Sequence, residues 1–328
     1  MSSKPKVFLT RGLPAPTMRR LESETELIFQ DIDRALSRDE LLAGVRDADG
    51  MICLLSDQID AELLDAASRL KVVSNYAVGF NNIDVDAATA RGIAVTNTPG
   101  VLADSTADMA WALLMAAARR VVEGDELVRS GEWEGWEPMQ LLGTEVTGAT
   151  LGIVGLGQIG QAIARRARGF DMNVLYWSRT RRSKNLEQQL QVQYCELDEL
   201  LGSSDYLSIN VALCEDTRHL LSKAEFEQMK PSSIVINTSR GAVIDEQALV
   251  EALRQGAIAG AALDVFEHEP QVTPDLRKMP NVVLAPHLGS ATDRTRCQMG
   301  ELAVSNCLAA CAGQVPPHLV NKTWHPKD

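Results

Sequence analysis

Thr150-Leu151-Gly152-Ile153-Val154-Gly155-Leu156-Gly157-Gln158-Ile159-Gly160 is the stretch that decides the architecture of this chain. A short apolar run, right for one buried strand, leads directly into Gly155, Gly157 and Gly160. The first glycine allows a tight turn, the second leaves room for a pyrophosphate beside the backbone, and the third lets a helix pack on the strand. Ile159, Ile163, Ala167 and Phe170 then recur at helical spacing. One face of that helix therefore packs on a sheet, and its N-terminus can point at phosphate. A second apolar run, Val174-Leu175-Tyr176-Trp177, completes a βαβ unit. A glycine-rich packing turn would not need this whole sequence of parts, so the unit reads as dinucleotide-binding.

The end of the second strand bears on which dinucleotide. An NAD site usually places an Asp or Glu there to accept from the ribose hydroxyls. Here the residues are Ser178, Arg179, Thr180, Arg181 and Arg182. No carboxylate opposes a 2′-phosphate, and a guanidinium between two hydroxyls suits one. The reading is NADP(H) preferred with NAD(H) possible; a solvated basic turn is the plain alternative.

Upstream, Lys6 to Thr10, Gly50 to Leu55 and Leu70 to Tyr76 are apolar runs separated by helical patterns at Ser37 to Arg46 and Asp60 to Ser68. This is the rhythm of a second parallel α/β sheet. Ile93 to Asn97 adds a strand closed by Thr98-Pro99-Gly100, where a domain boundary is expected. From Ser105, capped by itself or by Asp104, a long helix is predicted to run to Arg119 and Arg120, apolar on every face from Met109 to Ala118. Such a helix is buried on all sides, between domains or against another subunit.

Composition narrows the class. The chain has 328 residues, 45% apolar and 23% charged, enough for two ordinary domains. A net charge of −12 argues against a general nucleic-acid binder, whose affinity comes from phosphate neutralisation. The N-terminus carries no apolar core of signal-peptide type, and Met109 to Ala118 is too short to span a bilayer, so a cytoplasmic protein without membrane partners is expected. The six cysteines form no CxxC pair and read as reduced structural thiols.

Downstream of the glycine turn, an Arg, a Glu and a His each stand at a chain reversal: Ser239-Arg240-Gly241, Glu267-His268-Glu269-Pro270 and Pro286-His287-Leu288-Gly289. Reducing a 2-keto acid requires a forked cation for the carboxylate, an imidazolium to protonate the carbonyl oxygen, and a carboxylate to keep that imidazole charged. Arg240, His287 and Glu269 fill those roles. A surface salt bridge, a core histidine and a solvated acidic turn are their plain alternatives. His268 is rejected as catalyst, and no metal site is read, since no second His or Cys stands at ligand spacing.

These motifs, with Tyr76-Ala77-Val78-Gly79, Asn97-Thr98-Pro99, Thr106-Ala107-Asp108, Gly131-Glu132-Trp133 and Asp264-Val265-Phe266-Glu267, resemble the D-isomer-specific 2-hydroxyacid dehydrogenases, most closely the glyoxylate and hydroxypyruvate reductase branch. The resemblance spans nearly the whole chain. It implies two doubly wound, Rossmann-like parallel-sheet domains. A substrate domain of residues 1–100 and 290–328 would receive an inserted cofactor domain of residues 101–289. It makes Arg240 the substrate clamp, His287 the acid and base, and Glu269 its orienting carboxylate. Leu54, the amides of Val78 and Gly79, and Ser290 are expected at the substrate, with Trp136 reaching it from the partner of a homodimer. The implied cofactor set begins with Gly155, Gly157, Gln158, Ile159 and Gly160 at the phosphates, and Ser178, Arg179 and Thr180 at the ribose. Thr106, Asp264 and Gly289 are expected around the nicotinamide, joined by Val211, Ala212, Thr217, Thr238, Ser239, Arg240 and His287. Val211-Ala212-Leu213 departs from the family by lacking a proline common in that loop. The resemblance implies NADPH-dependent reduction of glyoxylate or hydroxypyruvate. Reduction of another 2-keto acid such as 2-ketogluconate, and a non-catalytic dinucleotide-sensing corepressor, are the alternatives.

Overall fold

The structure, a computed structural model, describes residues 4–325. The chain divides into two compact units: one runs to Leu102 and resumes at Ser290, and the other spans Ala103–Gly289.

The first unit is built on strands β1 (Lys6–Leu9), β2 (Glu26–Phe29), β3 (Gly50–Cys53), β4 (Val72–Asn75) and β5 (Ala94–Thr96). All pair in parallel, in the order β2-β1-β3-β4-β5. Helices Arg38–Val45, Ala61–Ala66 and Val85–Ala90 start where the sequence supplies side-chain caps. Ser37 and Glu40 form a reciprocal capping box, and Asp60 and Asp84 cap the next two helices. Helix Asp293–Cys311 packs on β3 and β4. That approach depends on Gly50, where a Cβ would lie 2.6 Å from the Cys307 sulfur. The strand β2 was not legible in the sequence, because four residues on a sheet edge give too short a pattern.

The second unit contains β6 (Thr150–Val154), β7 (Asn173–Trp177), β8 (Val192–Tyr194), β9 (Tyr206–Ile209), β10 (Ile234–Asn237), β11 (Gly260–Leu263) and β12 (Val282–Leu284). They form one parallel sheet in the order β12-β11-β10-β9-β6-β7-β8. The winding reverses between β6 and β9. Ligands of open α/β sheets bind beyond the strand carboxyl ends at such a reversal.

The long helix differs from its reading. It spans Ala103–Ala118 and stops before Arg120, whose backbone is left-handed at φ 52. It is not buried on every side: Asp108 and Ala112 are exposed. Its apolar face packs on helix Gln158–Ala167 and on β10, β11 and β12 of its own unit, with Trp111 stacked on Phe170 at 4.7 Å. The surplus apolar surface lies further on. Helix Val121–Ser130 has no buried residue, and Trp133, Trp136, Met139 and Leu142 after it are exposed. Among the described residues, no helix is long and apolar enough to cross a membrane.

Candidate active site

The glycine turn at the end of β6 behaves as its spacing demands. Gly155 has φ +95, and a Cβ there would lie 3.0 Å from the Asn210 carbonyl at the end of β9. A Cβ on Gly160 would collide with the Gly155 carbonyl oxygen, whereas one on Gly157 would meet nothing within 4 Å. Gly157 is also the N-cap of helix Gln158–Ala167, and no side chain caps it. The helix therefore offers uncapped amides and a positive dipole end over open space. Two buried atoms nearby on the sheet edge, Asn210 Oδ1 and Thr238 Oγ1, have no hydrogen-bond partner. Buried polar atoms are rarely left so. These features fit a nicotinamide dinucleotide.

Of the residues placed with that dinucleotide, Thr106, Asp264 and Gly289 are brought into contact. A Cβ on Gly289 would lie 3.2 Å from an Asp264 oxygen and 3.4 Å from the Thr106 methyl. Thr217 is different: its hydroxyl donates to Ala212 O at 2.7 Å and accepts from Cys214 N at 2.8 Å. It shapes the Val211–Ala212 loop from within. Ser178 donates to Thr180 O at 2.8 Å, and Arg179 stands exposed with Asp216 3.5 Å away.

Arg240 follows β10 on a turn fixed by Asn237. The Asn237 amide donates to Arg240 O at 3.0 Å, and its Oδ1 accepts from Ser239 N at 3.0 Å and from Ser239 Oγ at 2.9 Å. Gly241 is required here, because a Cβ would run into the backbone of Phe266 and Glu267. The Arg240 segment therefore lies directly against the segment that leads to Glu269. Loss of water lowers the Arg240 pKa, and the neighbouring Glu269 charge opposes that shift.

His287 Nδ1 lies 2.9 Å from Glu269 Oε2, and the other oxygen of Glu269 accepts from Phe266 N at 3.0 Å. Burial pushes the Glu269 carboxyl up. The His287 hydrogen bond and charge, the Phe266 amide and Arg240 outweigh it, and the net shift is downward. Glu269 is thus an acceptor-only carboxylate around neutral pH.

His287 itself has φ 56, an uncommon conformation for a residue with a Cβ. Asp264, at the end of β11 and fully buried, holds it there. The Asp264 carbonyl accepts from His287 N at 2.9 Å, and its two carboxylate oxygens accept from Leu288 N at 2.6 Å and Gly289 N at 2.7 Å. Burial raises the Asp264 pKa against the lowering effect of those amides and of His287.

Leu54, Val78, Gly79 and Ser290 belong to the first unit. Leu54 N donates to Asp57 Oδ2 at 2.8 Å. The carbonyls of Val78 and Gly79 accept from Asn97 at 2.8 Å and Asn75 at 2.7 Å, which fixes how that loop's peptide planes are turned. Trp136 is 81% exposed. Sequence reasoning missed the loop-fixing contacts of Asp57, Asn75 and Asn237, and those of Asn82, whose amide donates to Leu54 O and Asp57 O at 3.1 Å, and it gave Asp264 no structural role. One signal was available: the apolar runs of β4, β9 and β10 each end on an asparagine, Asn75, Asn210 and Asn237.

Comparison with known proteins identifies the family. The family described as D-isomer specific 2-hydroxyacid dehydrogenase, NAD binding domain, matches residues 111–289. A glyoxylate reductase of Thermococcus litoralis is 50% identical over 323 residues, 97% of each chain. The crystal structure of a Thermus thermophilus protein superposes with a TM-score of 0.90 at 45% identity, covering 96% of this chain and 99% of that one. An NADPH-dependent glyoxylate/hydroxypyruvate reductase of Sinorhizobium meliloti, solved with NADP and malonate, gives 0.87 at 34% identity and covers 99% of each chain. With a dinucleotide turn, a carboxylate-held histidine and relatives matching end to end, the chain belongs to the D-isomer specific 2-hydroxyacid dehydrogenase family and is an NAD(P)-dependent dehydrogenase of the glyoxylate reductase branch.

Proposed function

We propose that the protein reduces glyoxylate, and hydroxypyruvate as a second small substrate, with NADPH. The observation that carries this reading is the partly exposed pair His287 Nδ1 and Glu269 Oε2 at 2.9 Å, with Arg240 within electrostatic reach of Glu269. A nicotinamide held beside Thr106, Asp264 and Gly289 would supply hydride chemistry at C2 of the keto acid. Arg240 holds the substrate carboxylate and polarises the carbonyl, a task for which its planar fork is suited. His287 has Nδ1 turned to Glu269, which leaves Nε2 to donate a proton to the oxygen where negative charge develops. Glu269 orients the imidazole through the Nδ1 contact. In oxidation the same nitrogen accepts the proton. The amides of Val78 and Gly79, Leu54 and Ser290 are assigned to substrate binding.

Arg179, flanked by Ser178 and Thr180 and exposed, supports NADPH over NADH, because no carboxylate of this turn opposes a 2′-phosphate. The exposed helix Val121–Ser130 and Trp133, Trp136 and Met139 support a homodimer in which Trp136 reaches the partner's substrate. Initial rates with glyoxylate, hydroxypyruvate, 2-ketogluconate and a longer 2-keto acid, each with NADPH and NADH, test the reading. The specificity constant is expected to be highest for glyoxylate or hydroxypyruvate with NADPH, by about tenfold over NADH. Absence of turnover with every keto acid would favour a dinucleotide sensor instead.

A further inference from the structure

The turn Ser178 to Arg182 carries three arginines, and the structure gives them different work. Arg181 presents its fork to Glu187: Nε lies 2.8 Å from Oε1 and Nη2 lies 2.9 Å from Oε2, while the guanidinium rests over the Tyr194 ring at 5.3 Å. Glu187 comes from helix Lys184–Leu190, and its side chain is nearly buried. The same Oε1 accepts from the hydroxyl of Tyr176 at 2.7 Å. Tyr176 is fully buried on β7, and its hydroxyl also accepts from the backbone N–H of Arg182 at 2.9 Å. Arg182 then points its Nε at the carbonyl of Leu156, 3.0 Å away, inside the glycine turn. A bidentate pair, a buried hydroxyl bridge and a tie to the glycine turn therefore hold five successive residues.

We propose that Tyr176, Glu187 and Arg181 form a positioning clamp for the cofactor-selecting turn, and that Arg181 is not itself a phosphate ligand. The clamp fixes Ser178, Arg179 and Thr180 where a 2′-phosphate arrives, and Arg182 couples that turn to the glycine turn that meets the pyrophosphate. This inference rests on the NADPH preference proposed above. The clamp keeps its protonation state across the working range. Arg181 and then Tyr176 hold the Glu187 carboxyl down at about 2, while burial and then Glu187 push the Tyr176 hydroxyl up to about 12. With its charge matched and its Nε and Nη2 donors engaged, Arg181 is held on Glu187 and the Tyr194 ring, turned to the turn's own support. Because a preorganised site avoids an ordering cost on binding, loosening the clamp weakens the contacts made by the turn.

A clamp that only supports the fold would act on both cofactors alike. The test therefore reads a ratio. Dissociation constants of NADPH and NADH are measured on the full chain by quenching of tryptophan fluorescence, for wild type, Tyr176→Phe, Arg181→Met and the double variant. Wild type is expected to favour NADPH. Each single variant should lower the NADPH-to-NADH affinity ratio by about tenfold, the scale of one charge-assisted contact. The double variant should do no worse than the stronger single one, since both break one network. Parallel weakening of the two cofactors, or an unchanged ratio in Tyr176→Phe, overturns the clamp while leaving the NADPH reading intact. A fall with Arg181→Met alone makes Arg181 a phosphate ligand and overturns it as well. A wild type without preference removes both. Arg181 lies half-exposed at the surface, so its variant should still fold should the Tyr176 change loosen the core.

Discussion

Replacing Asp264 by asparagine keeps the shape of the side chain but turns one of its two acceptors into a donor. In the folded protein both oxygens are engaged, by Leu288 N at 2.6 Å and Gly289 N at 2.7 Å, and the residue between these amides and the sheet is His287 at φ 56. An asparagine can satisfy one amide and must face the other with its own N–H. Hydrogen bonds to a charged group contribute about 1.5–3 kcal/mol. If that loss falls on the placement of His287, turnover drops roughly tenfold to hundredfold, at 1.4 kcal/mol per factor of ten. Stability should respond differently. The Asp264 pKa is raised by burial, so its stabilising contribution is present below the unfolded value and lost as pH rises through the folded one. At neutral pH the ionised carboxylate is a net cost to folding, and asparagine removes it. Asp264→Asn should therefore lose activity, while its Tm at pH 7 falls by less than the lost hydrogen bond alone would give, because removing the buried charge offsets part of that loss. Steady-state kinetics and thermal unfolding read the two quantities separately. Turnover within threefold of wild type would refute the clamp on His287. A Tm drop of about 8 °C or more would show that the carboxylate mainly holds the fold.

His287→Ala should lower turnover about 100-fold or more and leave NADPH binding nearly intact, as measured by steady-state rates and fluorescence titration. Glu269→Gln removes a carboxylate held below its ordinary range and ionised around neutral pH. Turnover should then fall by about tenfold, the scale of one charge-assisted hydrogen bond, and unchanged turnover would break the pairing. Arg240→Lys keeps the charge but not the fork, so the Michaelis constant for the keto acid should rise while turnover falls; unchanged kinetics would make Arg240 an ordinary cation. Light scattering at micromolar concentration should give a dimer, and a monomer there would leave the exposed apolar side chains between Val121 and Leu142 uncovered.

The backbone features of the candidate site were legible where they obey local steric rules. Gly155 and Gly160 are fixed by a turn and a helix contact, while Gly157 leaves open space at the helix N-terminus, and each requirement acts within a few residues. His287 could be found from Pro286 and Gly289 beside it, and Arg240 from Gly241 after it. Long-range geometry was not legible in the same way. Asp264 reads as one more polar residue after a strand until amides more than twenty positions later fold onto it. Tyr176 lies inside an apolar run and reads as core, although its hydroxyl bridges Arg182 and Glu187. The break at Arg120 was missed because its left-handed turn is made by a residue with a Cβ, braced by the Arg120 ion pair to Glu123 at 2.6 Å, and carries no glycine to mark it. What separates the two groups is where the constraint comes from. A constraint imposed by neighbouring residues restricts residue type and is visible in the chain. One imposed across the sheet restricts only hydrogen-bonding capacity, which Asp, Asn and Tyr all possess, so it becomes visible only when the strand ends are side by side.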